Sequence, residues 1–379
     1  MNGRQRIEAA FTREGSPEVG VVIPYEDIFI RDHWAQLTKF PWWYVYSPQI
    51  EDQLTWRREV IPAIGQDWVN LLSCPPRVFR ENMRIDPRCD GVFLCDSLTG
   101  EEVLLQKPTV GGWNIFGRSY ADHVEDLAEA PEDIDRLVPL RAPFDRDRFK
   151  AEGRDDLAMG VLMEWGKTHY PTGYTMGPLW NCYTLWGFEG MMVMVAQKPE
   201  LVKYACDRFL HNERIAVQEA AALGAAGVWI EDCMTDMISP QAFQELNVPY
   251  LRMLIEEIRA LGMHSIYYYC GNPAGKLNLL LETGTDALSL EESKKGFTID
   301  IAEVAEVVQG RCVLFGNLDA INLMPNGSEA ELRREISRQA AAGRRNGNRF
   351  VMSLGSPVTP DTSPERVRRY CQMVRELNP

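Results

Sequence analysis

The residues best equipped for chemistry in this chain stand at the ends of short apolar runs. In "GVWIEDC" (227–233) an apolar stretch delivers Glu231, Asp232 and Cys233, and Asp236 follows on the connection. In "HSIYYYCGN" (264–272) a β-branched and aromatic run stops at Cys270, Gly271 and Asn272, with a proline next. Side chains alternate along a strand, so Tyr268 and Cys270 share one face while Tyr267 and Tyr269 share the other. Carboxylates crowded into one cleft repel, which raises some of their pKa values and suits them to proton transfer, cation binding or metal binding. Glu231, Asp232 and Asp236 are thus candidates for moving protons or anchoring an amine, Tyr268 for donating a hydrogen bond, and Cys270 for binding or accepting.

The elements that must position these residues form a repeated pattern. The runs "VGVVIPYE" (19–26), "DWVNLLSC" (67–74), "LAMGVLME" (157–164), "GVWIEDC" (227–233), "HSIYYYC" (264–270), "DALSLEE" (286–292), "CVLFGNLD" (312–319) and "RFVMSLGS" (349–356) are read as strands. Amphipathic segments separate the later ones. Eight strand–helix units predict a (β/α)8 TIM barrel whose site lies at the C-terminal strand ends. An open doubly wound sheet is the runner-up, but neither GxGxxG nor GxxxxGK[ST] follows any run. The strand ends collect Glu26, Glu164, Glu291 and Glu292 besides the residues above, an acidic mouth, and they place Asn272, Asn317, Asp319 and Ser356 as substrate contacts. Segment 75–155 breaks the rhythm; it contains a hairpin turning near Leu98-Thr99-Gly100 and is read as an insertion, or lid, after the second strand of a single domain spanning 1–379. Aromatic residues cluster in "FPWWYVY" (40–46), "NIFGRSY" (114–120) and 173–194, so that Trp42, Trp43, Trp180 and Trp186 could wall an apolar ligand or cage a cation.

With 379 residues and a formal net charge of −14, the chain is unsuited to nucleic acid or another polyanion as main partner. No apolar run reaches membrane-spanning length and the opening "MNGRQRIEAAF" lacks the apolar core of a secretory signal, so a cytoplasmic location is expected. The nine cysteines are scattered without CxxC pairs, as reduced thiols are. None of the five histidines stands at a strand end, and no GxSxG elbow is present.

Several stretches together resemble the uroporphyrinogen decarboxylase superfamily, which also contains corrinoid-dependent methyltransferases. They are "GRQRIEAAF", "GQDWV" (65–69), "MGPLW", "WGFEGMMVMVAQKPELV", "DCMTDMISPQAFQELNVPYL", "YCGN", "FGNLD" and "GSPVTPDTSPERV". The resemblance implies a (β/α)8 barrel. Its methyltransferase branch implies zinc on a His-x-Cys pair and a later cysteine, positions filled here by Tyr268, Cys270 and Ser356, so Cys270 is the one metal-ligand position kept and tight zinc binding is not expected. The decarboxylase branch implies an essential aspartate, matched to Asp67, and an arginine-rich loop that is not recognisable here. The reading that follows is a methyltransferase moving a methyl group between a small methylated substrate and a corrinoid (cobalamin) on a partner protein. A uroporphyrinogen decarboxylase-type carboxy-lyase and a non-catalytic ligand-binding barrel are the alternatives.

Overall fold

A computed structural model describes residues 1–112, 128–294 and 296–377. Eight strands form one parallel sheet: β1 (Gly20–Val21), β2 (Trp68–Asn70), β3 (Tyr170–Met176), β4 (Gly227–Cys233), β5 (His264–Cys270), β6 (Ala287–Leu290), β7 (Val313–Phe315) and β8 (Phe350–Met352). Their order is β1-β8-β7-β6-β5-β4-β3-β2, so the sheet curls until its first and second strands meet. That seam is held mainly by side chains. Asp67 N–H donates to the Val21 carbonyl at 2.8 Å, the Asp67 carboxylate accepts from Val21 N–H at 2.9 Å, and the Gln66 amide oxygen accepts from Ile23 N–H at 3.0 Å. A two-residue strand offers few ladder bonds, and these polar groups supply the rest.

Strand alternation sorts the core into two layers. Inside the barrel, Trp68, Trp229, Ile266, Tyr268, Val313 and Phe315 pack together, and helix α1 (Gly3–Phe11) closes the base with Ile7, Ala10 and Phe11. Outside, Val228, Ile230, Tyr267 and Tyr269 meet the surrounding helices. Among the described residues, no helix is long and apolar enough to cross a membrane.

Two expectations from the sequence change. The run 157–164 is helical (Asp156–Trp165), with Leu157, Ala158 and Val161 buried at helical spacing, and the third strand is Tyr170–Met176. Glu164 therefore leaves the mouth and pairs with Arg58 at the surface, 2.6 Å away. A continuous apolar run does not by itself separate a buried strand from a helix, and Pro171 and Gly173 disguised the true strand. The first strand is also shorter than expected, because Pro24 ends it and Glu26 begins helix α2 (Glu26–Leu37). Within 75–155, Met83–Arg88, Gly91–Asp96 and Glu102–Leu104 form a three-stranded antiparallel sheet, the last two joined across residues 97–101. Residues 114–120 of the expected aromatic group lie outside the described residues.

Candidate active site

At the C-terminal ends of β4 and β5 the register pairs Glu231 with Tyr268 and Cys233 with Cys270, so four inward-facing side chains stand together. Glu231, 8 % exposed, is the centre of the group. Tyr25 OH donates to one of its oxygens at 3.0 Å, Tyr174 OH donates to the other, and Cys233 Sγ lies 3.4 Å from the first. Tyr25 reaches it from the start of α2 with φ 55, a left-handed backbone conformation that costs a tyrosine free energy and persists only where surrounding packing imposes it. Beneath the carboxylate, Trp229 and Tyr268 stack at 5.0 Å between ring centroids, and Tyr25 meets Tyr268 edge-on at 5.7 Å.

Next to this group lies a second one. Cys270 Sγ donates to Glu291 Oε1 at 3.0 Å, Glu291 pairs with Lys294, and Lys294 Nζ donates to Ser356 Oγ at 2.9 Å. Burial lowers the Lys294 pKa, but Glu291 and Glu292 outweigh it and the ammonium is held above its ordinary value. Cys233 is pushed well up, first by its hydrogen bond with Cys270 and then by burial. For Cys270 the bond with Cys233 acts downward, while burial and the Glu291 carboxylate carry the net shift upward. Burial also drives Tyr25 and Tyr268 well above the ordinary phenol value. At neutral pH the thiols and these phenols all keep their protons.

Other expected site residues go elsewhere. Asp232 faces outward and is fully buried, accepting from Tyr267 OH at 2.5 Å and Asn247 Nδ2 at 2.7 Å; it is separated from its neighbour Glu231 by alternation alone. Burial lifts it to about 6 against the pull of those hydrogen bonds. Asp236 lies on the loop after β4 and accepts from Asn272 N–H at 3.1 Å, tying that loop to the next. A Cβ at Gly271, φ +132, would stand 2.2 Å from the Asp236 carboxyl carbon, which is why strand β5 ends in Cys-Gly. Asn272 Oδ1 caps the turn at Ala274 N–H, and Asn317 donates to the carbonyls of Glu291 and Ile299, both at 3.0 Å. Asp319 caps residues 321 and 322. Tyr268 lines the barrel, with its hydroxyl committed to the Gly355 carbonyl at 2.8 Å.

Asp67 sits at the opposite end of the barrel from the mouth, 2 % exposed in the seam and paired with Arg375 at 2.8 Å and Arg6 at 3.4 Å. The expected aromatic wall is divided: Trp180 is buried in the outer core against Tyr183, Trp43 meets Tyr44 at a tilt with ring centroids 4.8 Å apart, and Trp42 lines a separate cavity beside the barrel. Lys294, Tyr25 and Tyr174 were missing from the sequence reading. Tyr174 shares a face with inward Tyr170 and follows by alternation once Tyr170–Met176 is known as a strand, whereas alternation from inward Val22 would turn residue 25 outward and only the left-handed turn into α2 brings Tyr25 to the site; Lys294 follows a strand end by a loop and carries no periodic signal.

Among the described residues, no group of three His, Cys, Asp or Glu side chains is arranged to hold a metal ion, and the two replaced ligand positions are engaged in other hydrogen bonds, Tyr268 with Gly355 and Ser356 with Lys294.

Residues 158–377 match the family model described as uroporphyrinogen decarboxylase (URO-D), more than half of the chain. The chain belongs to the uroporphyrinogen decarboxylase family. Curated relatives carrying that name include one from Thermodesulfovibrio yellowstonii, 28 % identical over 161 residues (42 % of this chain, 44 % of the relative), and one from Legionella pneumophila, 24 % identical over 232 residues (59 % and 63 %). The chain thus spans about half the length of the curated relatives it matches. A solved methyltransferase from Methanosarcina mazei superposes with a TM-score of 0.66 at 19 % identity, covering 100 % of this chain and 99 % of the other. That likeness is one of fold, and it matches the barrel described above. The family is enzymatic, and the mouth just described is where a barrel of this kind keeps its chemistry.

Proposed function

We propose that this family member is a methyltransferase that moves a methyl group between a small methylated cation and a corrinoid carried by a partner protein. The observation that carries the reading is Glu231, a carboxylate fixed by two tyrosine hydroxyls above the stacked faces of Trp229 and Tyr268. A carboxylate among aromatic faces is complementary to a quaternary ammonium group, whose charge is spread over its methyls and poorly hydrated. Transfer of one methyl leaves a tertiary amine, neutral as it forms, whose hold on Glu231 is weaker until it gains a proton. The corrinoid is a substrate in this reading, and its bulk stays outside the mouth while the methyl group enters.

Among the chain's own groups, Glu231 binds and orients the cation, and Tyr25 and Tyr174 keep both carboxylate oxygens aimed at it. Protonated Cys233 and Cys270 do not compete for the methyl group. Should a thiol act instead, Glu291 is the base within reach of the Cys270 proton. A polycarboxylate substrate is disfavoured by the negative chain and by Glu231 itself, since like charges would face each other in a partly desolvated cleft.

The test is spectroscopic. Cob(I)alamin, free or on a corrinoid protein, is mixed with the chain and tetramethylammonium or a larger quaternary amine, and methylcobalamin formation is followed. Turnover that disappears in Glu231→Gln supports the proposal. Loss of carboxyl groups from uroporphyrinogen without methyl transfer would replace it with a carboxy-lyase, and inactivity toward both would favour a binding barrel.

A further inference from the structure

Beside the barrel, between α2, the short 3-10 helix Trp42–Tyr46, helix α3 (Ile50–Ile64) and the chain leaving β2, lies a cavity of about 890 Å³. None of the mouth residues lines it. Its walls are apolar and aromatic, with Ile30, Trp34, Phe40, Trp42, Trp56 and Leu72 contributing. Six charged residues also line it. Arg31 pairs with Asp32 at 2.8 Å and Lys39 with Glu59 at 3.2 Å, Lys107 is exposed, and Asp27 and Arg57 remain without a bond to each other. Asp27 lies deep among protein atoms yet is exposed to the cavity, and among the described residues its carboxylate makes neither a hydrogen bond nor an ion pair. Arg57 stacks over Trp56, 4.1 Å from its ring, and spends one nitrogen, Nη1, on Gln53 at 2.7 and 2.8 Å. The remaining guanidinium edge has no bonded partner among the described residues. Burial lowers Arg57 to about 10, which leaves it positive at neutral pH. Glu26 nearby is lifted to about 8 by burial and so is largely neutral there.

In a largely apolar cleft, an anion and a cation that stand close enough to feel each other and are not bonded, as Asp27 and Arg57 do, are an uncommon arrangement, because each charge lacks the partner that usually compensates a loss of water. A singly charged ligand would satisfy one group and leave the other more deeply desolvated. A zwitterion satisfies both, and an aromatic body matches the walls. We propose that this lateral cavity is a second ligand site that takes a small aromatic zwitterion of the amino-acid type, its ammonium on Asp27, its carboxylate on Arg57 and its ring against the tryptophan wall. The site is separate from the mouth and its occupancy does not depend on the reaction proposed there.

Equilibrium dialysis of the full chain against labelled L-phenylalanine tests this, with phenethylamine and 3-phenylpropionate as competitors that keep only one of the two charges. Saturable binding of one phenylalanine per chain is expected, with each competitor weaker by roughly tenfold or more, as the loss of one charged hydrogen-bonded contact predicts. Asp27→Asn should weaken phenylalanine by a similar factor while Glu231→Gln leaves it unchanged. If Asp27→Asn does not fold, Val45→Trp, which fills the cavity from its rim, should abolish binding in its place. Absence of saturable binding, equal affinity for all three compounds, or binding lost in Glu231→Gln and kept in Asp27→Asn would each overturn the proposal.

Discussion

The wall formed by β4 and β5 has two faces built from the same chemistry. Inside stand Glu231 and Tyr268, and outside stand Asp232 and Tyr267, each acid one residue from its counterpart. On the outer face the acid is sealed: Asp232 is 0 % exposed and its oxygen is shared by Tyr267 and Asn247. On the inner face the acid sits beside groups that still meet solvent, with Tyr174 47 % exposed and Cys233 and Cys270 half-buried. An acid–tyrosine pair is therefore not in itself a sign of catalysis. What separates a site from a structural network is whether the bonded acid still has a free approach.

Activity should divide the two faces most strongly. Glu231→Gln is expected to lower kcat/KM for methyl transfer by roughly two to three orders of magnitude, the range seen when a preorganised electrostatic contact is removed, while leaving the melting temperature nearly unchanged. Asp232→Asn should leave kcat/KM within a factor of about two, because it keeps its shape and never meets substrate. Steady-state kinetics on both variants would break the comparison if Asp232→Asn were the inactive one.

Stability against pH should divide them in the opposite sense. The Asp232 carboxyl titrates near 6 in the folded chain against an ordinary 3.8, so the folded state holds a proton that the unfolded state has released. That contribution is complete below about pH 4 and disappears as pH rises through 6, a difference of about 3 kcal/mol. Denaturant titrations at pH 4 and pH 7 should show wild type losing that much relative to Asp232→Asn over the interval. Parallel profiles for the two proteins would show that Asp232 does not titrate in this window.

Smaller effects sharpen the same division at the tyrosines. Tyr267→Phe removes a donor from a buried carboxylate and should cost about 1–3 kcal/mol of stability with little change in turnover per folded molecule. Tyr268→Phe removes a hydroxyl bonded to the Gly355 carbonyl and should cost about 1 kcal/mol, again with turnover within a few-fold, because its role at the mouth is carried by the ring. The smallest expected change is for Cys270→Ser, a few-fold in turnover. A far larger loss there would move the thiol from the wall of the site to its centre.

The barrel was readable because its central strands are long and bounded. The runs 227–233 and 264–270 coincide with β4 and β5, whose apolar residues end at glycine or a turn. The third strand was not readable, since its proline and glycine look like loop and the neighbouring helix offers a stronger apolar run. Alternation was enough to place Tyr268 with Cys270, and the same rule applied to 231–233 would have separated Asp232 from Glu231 and Cys233. Asp67 shows a different limit: a charged residue beside a strand does not reveal which end of the barrel it occupies unless the strand's direction and first residue are known. Lys294 and the split of the tryptophans depend on loop paths, which sequence periodicity does not encode.

The seam between β1 and β2 gives the molecule a built-in point of breathing. Elsewhere the staves of the barrel are riveted by main-chain ladders, but here a carboxylate and an amide do much of the fastening, and Tyr25 follows β1 by only four residues. Local opening at this join would swing Tyr25 off Glu231 before any other part of the wall moved, so the rate at which the cleft admits its guest is tied to the weakest rivet in the cylinder. Amide protons of Val21 and Ile23 should accordingly exchange with deuterium sooner than those of Ile266 or Tyr267 in the middle of β5.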